Sequence, residues 1–161
     1  SPHWTSDLGK PGKGRKRGRG IASGFWFNIG GESSGATYIN EDGTVTVVSG
    51  NPDIGGSRAS MGMMAAEVLG IDVSKVRAIV GDTSSVGFSF VTGGSRVTFA
   101  TGMAVTQSAE QARDELCRRA AAIWEIPPEA VEWRDGSAHP AGDNAGKFEP
   151  MTLGQIAAKS G

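Results

Sequence analysis

The tetrapeptide Gly-Gly-Ser-Arg occurs twice in this chain, at residues 55–58 and 93–96. Each copy lies in a loop that follows a short strand pattern and precedes apolar residues at helical spacing. Glycine lets main-chain N–H groups approach a ligand closely, a helix N-terminus carries partial positive charge, and arginine offers a planar cationic fork. The repeat therefore predicts two strand–loop–helix units whose loops can hold an anionic ligand.

A plainer interpretation of the two loops is that Gly-Gly turns and serine caps only start two helices. We favour ligand binding because the same tetrapeptide occurs at both places. Loops of this composition are suited to bind a phosphate or the polar edge of a cofactor. The candidate cofactor-binding residues, in chain order, are Gly55, Gly56, Ser57, Thr92, Gly93, Gly94, Ser95 and Arg96.

The strand patterns around these loops predict an α+β fold with a mostly antiparallel sheet and two main helices packed on one face. The Phe-Trp-Phe run at residues 25–27, bounded by glycines, predicts a buried strand. Asp42-Gly43, between two alternating β-branched runs, predicts a hairpin. A small strand pair is expected on either side of the Asp135-Gly136 turn.

The helical patterns have clear ends. One helix is predicted to stop at Gly70, and a longer one runs over about residues 96–125 before Pro127-Pro128. A short helix over residues 152–159 begins at Thr152, which suits an N-cap. The predicted order is β-β-β-α-β-α-β-α.

Composition narrows the chemistry available to the chain. One cysteine, Cys117, allows no internal disulfide, and with only His3 and His139 a four-ligand zinc cluster of the usual kind is excluded. Asp42 and Asp82 are interpreted as turn residues. We therefore assign no catalytic and no metal-ligating residue. No apolar run approaches the ~20 residues of a membrane span.

The N-terminal segment differs from the rest of the chain in charge. Residues 1–20 carry six basic groups and one acidic group, although the whole chain has a net charge of −1. We predict a Gly-rich linker or arm over residues 1–19 and a folded subdomain over residues 20–161. Without an apolar signal-peptide region, a cytoplasmic protein is expected.

The runs GFWFNIGGESSGATYINEDGTVTVVSGNPDIGG and AAEVLGIDVSKVRAIVGDTSSVGFSFVTGGSR resemble the molybdopterin-binding large subunit of the molybdenum hydroxylases. That family comprises xanthine dehydrogenase, aldehyde oxidoreductase or oxidase, and carbon monoxide dehydrogenase. The resemblance covers roughly residues 18–160. Its most specific parts are the Asp-Ile-Gly loop, the Ala-Glu-x-Leu-Gly helix end, Gly81-Asp82-Thr83, and residues 92–96.

The resemblance implies roles for both loops. In the family the first loop reads Asp-Ile-Gly-Gln-Gly, and its Gly-Gln pair touches the pyranopterin or its phosphate. Here Gly55 matches, Gly56 replaces the glutamine and Ser57 replaces the second glycine, so backbone or Ser57 contacts must substitute for the lost amide. In the second loop the small residues match those packed against the metal and its dithiolene, and Arg96 is common in the bacterial branch.

The resemblance also implies a larger assembly. The cofactor would be molybdopterin, with or without an extra nucleotide, held in the full subunit and absent from the isolated chain. Partners would be the remainder of the large subunit and iron–sulfur and FAD subunits or domains. The family's catalytic Gly-x-Gly-Glu segment does not occur in these 161 residues, so we expect a fragment of a xanthine dehydrogenase-type enzyme, inactive alone.

Two functions remain open at this point. In the first, the chain is part of an oxidoreductase that hydroxylates an aldehyde, an N-heterocycle or a related substrate, with water as the oxygen source. The alternative is a free-standing binding module whose basic arm engages nucleic acid or another polyanion, with salt-sensitive affinity. The first requires no nucleic acid as a partner.

Overall fold

The computed structural model describes residue 9, residues 12–82 and residues 84–160. It confirms the α+β class, with three helices and two small sheets. In chain order the elements are β1 (Gly35–Ile39), β2 (Val45–Ser49), α1 (Ser57–Leu69), β3 (Val76–Val80), a π-helical turn (Val97–Thr101) that leads directly into α2 (Gly102–Trp124), β4 (Val131–Arg134), β5 (Ser137–Pro140), β6 (Met151–Thr152) and α3 (Leu153–Lys159).

The first sheet has the order β1-β2-β3. β1 and β2 form the predicted antiparallel hairpin, whose turn is closed by the Asn40 amide donating to the Thr44 carbonyl (2.9 Å). Gly43 takes the left-handed conformation that this turn requires, with φ +83°. β3 returns parallel to β2 after the α1 crossover. The carboxyl ends of β2 and β3 therefore lie side by side.

The second sheet is a separate antiparallel unit of order β4-β5-β6. It contains the predicted strand pair, joined through Asp135 and Gly136, both at positive φ. The indole Nε1 of Trp133 donates to the Leu69 carbonyl at the end of α1 (2.9 Å). This hydrogen bond links the second sheet to α1. Three of the four strand pairings are antiparallel, but the strands form two sheets where one was expected.

The helix ends follow from their sequences. Gly70 ends α1 in the left-handed conformation, and Thr152 caps α3 in a reciprocal capping box with Gln155. α2 ends at Trp124, just before the predicted break at the proline pair. The core lies between the helices and the two sheets and includes Val45, Val47, Met61, Leu69, Val105, Leu116, Ala138 and Ile156.

The predicted strand over residues 25–27 is wrong. Residues 15–34 form neither helix nor strand, and Phe25, Trp26 and Phe27 are 90%, 73% and 64% exposed. A strand needs a neighbour for its main-chain groups, and within the described ranges no strand pairs with this segment. Trp26 consequently stacks on Phe27 at the surface and contributes nothing to the core.

Candidate functional site

Two loops leave the same edge of the first sheet. Loop 1 (residues 50–56) follows β2, and loop 2 (residues 81–96) follows β3. Because Ser49 pairs with Val80 in parallel register, the loops start as neighbours, and the Gly81 amide donates to the Ser49 carbonyl (2.8 Å). Farther out, Asn51 Nδ2 donates to Thr92 Oγ1 (3.3 Å). The fold therefore starts both loops side by side and joins them at Asn51 and Thr92.

Loop 1 ends in two consecutive left-handed glycines, Gly55 (φ +61°) and Gly56 (φ +78°). A Cβ placed on either glycine would meet nothing within 4 Å. Neither amide has a hydrogen-bond partner among residues 12–82 and 84–160. These two glycines therefore offer bare, unpaired N–H groups at the start of α1.

The serine and arginine of loop 1's tetrapeptide have separate tasks. Ser57 is buried as the first residue of α1, and its hydroxyl accepts a hydrogen bond from the Ile54 amide (3.2 Å). The Arg58 side chain is 56% exposed, with Nε 3.3 Å from Asp53 Oδ2. The Arg58 amide also donates to Asp53 Oδ1 (2.9 Å). Serine thus shapes the turn, and arginine leaves a cationic group at the surface.

Loop 2 turns differently. Gly93 is exposed, has no positive φ, and a Cβ there would meet nothing within 4 Å. Gly94 (φ +62°) is closed in, since a Cβ there would lie 2.5 Å from Ile29 Cδ1. Ser95 is exposed at φ +54°, and its carbonyl accepts from Asn28 Nδ2 (2.5 Å). Of the two glycines in this tetrapeptide, Gly93 has open space at its Cβ position and Gly94 does not.

Arg96 is completely buried and bonds the protein itself. Its guanidinium donates to four main-chain carbonyls and one hydroxyl: Gly30 (2.8 Å), Phe90 (2.9 Å), Gly31 (3.0 Å), Glu32 (2.5 Å) and Ser33 Oγ (2.8 Å). The arrangement differs from the predicted one, in which this fork faces an anion. Arg96 instead holds loop 2 against residues 30–33.

Two site residues were missed in the sequence. Asn51 is 3% exposed and Thr101 is fully buried, and Thr101 Oγ1 donates to Asn51 Oδ1 (2.6 Å). Asn51 stands between Gly50 and Pro52, which is the ordinary setting of a turn residue. The signal for Thr101 is structural, because it closes the π-helical turn, a feature found frequently at functional sites.

Asp82 opens loop 2 as the predicted turn residue. Its Oδ1 accepts from Ser84 Oγ (2.7 Å), the Ser84 amide (2.9 Å) and the Ser85 amide (3.0 Å). The hydrogen bonds from Ser84, with those from Ser85, hold the pKa of the Asp82 carboxyl below its usual value. This is the structural role assigned from sequence. Thr83 lies outside the described residues.

The other reactive side chains lie elsewhere. Burial raises the pKa of the Cys117 thiol on α2, which disfavours the nucleophilic thiolate. His139 is half-buried on β5, and His3 lies outside the described residues. Within the described ranges, no cluster of three histidine, cysteine or carboxylate side chains suits a metal ion, and no helix has the length and apolarity to cross a bilayer.

Comparison with curated proteins finds relatives that are named as subunits of an aldehyde oxidoreductase and a nicotinate dehydrogenase. The chain is 35% identical over 86 residues to the aldehyde oxidoreductase molybdenum-binding subunit PaoC of Escherichia coli (strain K12), covering 50% of this chain and 12% of PaoC. It is 26% identical over 118 residues to a nicotinate dehydrogenase subunit of Pseudomonas putida (strain KT2440), covering 73% of this chain and 10% of that relative. The chain thus matches a small part of each relative.

Solved structures share the fold. A chain of the Cu,Mo-CO dehydrogenase in its carbon monoxide reduced state superposes with a TM-score of 0.70 at 23% identity, over 80% of this chain and 16% of that one. Quinoline 2-oxidoreductase from Pseudomonas putida 86 superposes with a TM-score of 0.66 at 25% identity, with the same coverage of 80% and 16%.

The family assignment follows from the sequence as a whole. The model of the molybdopterin cofactor-binding domain matches residues 3–160, which include the folded part and most of the basic arm. The resemblance found in the loops is thereby confirmed over nearly the full length. This chain belongs to the molybdopterin cofactor-binding domain family.

Proposed function

We propose that loops 1 and 2 together hold the pterin and phosphate of molybdopterin, within an oxidoreductase that hydroxylates an aldehyde, an N-heterocycle or a related substrate. The observation that supports this most is that Gly55, Gly56 and Gly93 lie in two loops that leave the same edge of the first sheet. All three lack neighbours where a Cβ would stand. Their amides have no hydrogen-bond partner in the described part of the chain.

These groups fit the cofactor's chemistry. Phosphate oxygens and the polar edge of a pterin accept hydrogen bonds, and unpaired N–H groups at a helix start are suited to donate them. The absence of side chains lets a flat, bulky group approach the backbone. Arg58, exposed beside loop 1, adds a cation that favours an anionic ligand. When bound, the cofactor supplies redox-active molybdenum.

The remaining predicted residues serve this site by shaping it. Ser57 fixes the end of loop 1 through Ile54, and Thr92 bonds Asn51 across the two loops. Gly94 leaves room for the Ile29 side chain because it has no Cβ, and Arg96 holds the end of loop 2 through its hydrogen bond to the Gly30 carbonyl. Ser95 sets the left-handed step between them.

The site is incomplete for catalysis. Within the described residues it offers hydrogen-bond donors and shape, and we assign none of them as acid, base or nucleophile. We propose that the acid–base group comes from the remainder of a large subunit, and that electrons leave through iron–sulfur and flavin partners. Residues 1–19 would connect the domain to that assembly. The isolated chain should show no turnover.

The test uses the protein expressed from its native reading frame in a host that makes the cofactor. Molybdenum per chain is measured by mass spectrometry, and pterin by fluorescence after release. Gly93→Leu fills the open face without a change of backbone region, and we expect retained cofactor to fall at least about tenfold, the effect of ~1.4 kcal/mol. Gly24→Leu is the matched control, since Gly24 also has an open Cβ position and no positive φ.

Three outcomes would contradict the proposal. If Gly93→Leu retains as much molybdenum as Gly24→Leu, loop 2 is not part of the cofactor site. Wild-type protein without molybdenum or pterin would remove the site altogether. Salt-sensitive polyanion binding by that cofactor-free protein, lost on deletion of residues 1–19, would instead support the binding module.

The reaction class has its own test. The assay uses holoprotein assembled with its large-subunit remainder and its iron–sulfur and flavin partners. If that assembly hydroxylates an aldehyde or an N-heterocycle with water as the oxygen source, ¹⁸O from labelled water must appear in the product. Oxygen drawn from O₂, or no turnover with either substrate class, would contradict this part of the proposal and leave cofactor binding standing.

A further inference from the structure

We infer that Asn51 is a positioning residue that couples the two loops, as the fourth of five members in a one-directional hydrogen-bond chain running from Arg96 to Thr92. The inference rests on the proposed function, because the coupled elements are the two cofactor loops. No part of it requires Asn51 to touch the cofactor.

The chain has four links. Arg96 Nη2 donates to Ser33 Oγ (2.8 Å), and Ser33 Oγ lies 3.3 Å from Thr101 Oγ1. Thr101 Oγ1 donates to Asn51 Oδ1 (2.6 Å). Asn51 Nδ2 donates to Thr92 Oγ1 (3.3 Å). The links join the segment before β1, the π-helical turn, loop 1 and loop 2.

The direction of the chain is fixed by its members. Arginine has only donors, so Ser33 must accept from Arg96. Thr101 has a single hydroxyl proton, which goes to Asn51, so Thr101 must accept the proton offered by Ser33. The Asn51 amide then accepts at its oxygen and donates at its nitrogen. A carboxylate or an apolar side chain at position 51 cannot do both.

Because these hydrogen bonds are buried, breaking one of them destabilises the protein more than breaking an exposed one. Arg96 and Thr101 are 0% exposed and Asn51 is 3% exposed. A broken link therefore leaves a polar atom without a partner in a place that water reaches poorly, which costs more than losing an exposed hydrogen bond. Asn51 and Thr92 consequently hold loop 1 and loop 2 at one spacing, and with them the open glycines of the two loops.

Amide hydrogen exchange tests the coupling in the full protein without cofactor. Two protected amides report on the attachment of loop 2: Ile29, bonded to the Gly94 carbonyl (2.9 Å), and Phe90, bonded to the Glu32 carbonyl (2.9 Å). The substitution Asn51→Leu lies in loop 1. We expect it to speed exchange of both reporters by about fivefold relative to the core amides, the effect of losing roughly one hydrogen bond.

A matched control separates coupling from general destabilisation. Thr37→Val removes the Thr37–Ser108 hydroxyl pair (2.7 Å), a partly buried hydrogen bond between β1 and α2. It should lower global protection without changing the ratio between the reporters and the core. If Thr37→Val speeds exchange at Ile29 and Phe90, relative to the core amides, as much as Asn51→Leu does, the inference is overturned.

A second variant keeps the inference testable if Asn51→Leu does not fold. Thr92→Val cuts the last link at its half-buried end, in loop 2. Its effect is then measured where loop 1 joins α1, at the Ser57 amide bonded to the Ile54 carbonyl (3.1 Å) and the Arg58 amide bonded to Asp53 (2.9 Å). We expect the same relative acceleration of about fivefold. Unchanged exchange at both amides would contradict coupling between the loops.

Failure of this inference differs from failure of the proposed function. The exchange experiment contains no cofactor, so it reports loop coupling alone. Gly93→Leu should lower cofactor retention at least about tenfold without altering reporter exchange, whereas Asn51→Leu should change both. Altered exchange with full cofactor retention in Asn51→Leu would overturn the positioning role and leave the cofactor site intact.

Discussion

The two copies of the tetrapeptide, at residues 55–58 and 93–96, place their side chains in opposite ways. In the first copy the serine is buried and the arginine is exposed; in the second copy the serine is exposed and the arginine is buried. Ser57 and Arg58 belong to α1, whereas Ser95 and Arg96 precede the π-helical turn. The helix therefore starts two residues later in loop 2, and this shift exchanges the inward and outward positions.

The left-handed residues are shifted as well. They are Gly55 and Gly56 in loop 1, but Gly94 and Ser95 in loop 2. Gly93 therefore does not need the left-handed conformation that Gly55, the first glycine of the other copy, adopts. The comparison teaches that one sequence motif can supply a surface cation in one setting and a buried anchor in another.

The largest difference should come from the arginines. Arg96→Met leaves four carbonyls without their donor, and we expect it to lower the free energy of unfolding by more than about 3 kcal/mol. Arg58→Met removes an exposed ion pair and should cost less than about 1 kcal/mol. Urea denaturation of both variants measures the difference. Similar midpoints would contradict the distinction between anchor and surface cation.

The left-handed glycines should differ next. Gly94→Ala combines the left-handed penalty with a clash against Ile29, for a loss of about 2–5 kcal/mol. Gly56→Ala has open space, so only the conformational penalty of about 1–2 kcal/mol applies. Thermal denaturation distinguishes them. A Gly56→Ala variant as unstable as Gly94→Ala would show that loop 1 is closed in by the chain.

The serines should respond with opposite signs. Ser95→Gly relieves a left-handed residue with a Cβ, for a net gain of about 0.5 kcal/mol after the added entropy of the unfolded chain. Ser57→Gly loses the hydroxyl that accepts from Ile54 and should cost about 1 kcal/mol. Both changes are measured by unfolding midpoints. Destabilisation by Ser95→Gly would indicate that the Ser95 side chain has a partner.

The smallest expected effect is the pH response of the turn that opens loop 2. The lowered pKa of Asp82 means that its hydrogen bonds favour the carboxylate, so their contribution to stability is present above the unfolded pKa. It is lost as pH falls through the lower folded pKa. The melting temperature of Asp82→Asn should therefore fall less than that of wild type between pH 7 and pH 3. An equal fall in the melting temperatures of the two proteins would contradict this role.

Locally determined features were predictable from the sequence. The Asp42-Gly43 hairpin, the Gly70 helix end and the Thr152 cap depend on residues within a few positions of one another. The repetition of Gly-Gly-Ser-Arg favoured ligand binding by both loops but did not predict that the loops are neighbours. Their meeting at one edge follows from the parallel β2–β3 pairing, which the α1 crossover permits.

Features that depend on distant partners were not predictable. The fate of Arg96 depends on carbonyls 64–66 residues earlier in the chain, which no local pattern reveals. The same limit explains the wrong strand at residues 25–27, because apolar composition alone supplies no pairing partner. Asn51 was missed because its sequence context is that of an ordinary turn residue.

If loops 1 and 2 form one cofactor site, both contact the same molybdopterin molecule. A crystal structure of the holoprotein would show these contacts. We predict cofactor oxygen or nitrogen atoms about 2.7–3.2 Å from the amide nitrogens of Gly55 or Gly56 and, in the same molecule, from that of Gly93. A cofactor that touches one loop alone, or neither, would contradict the account.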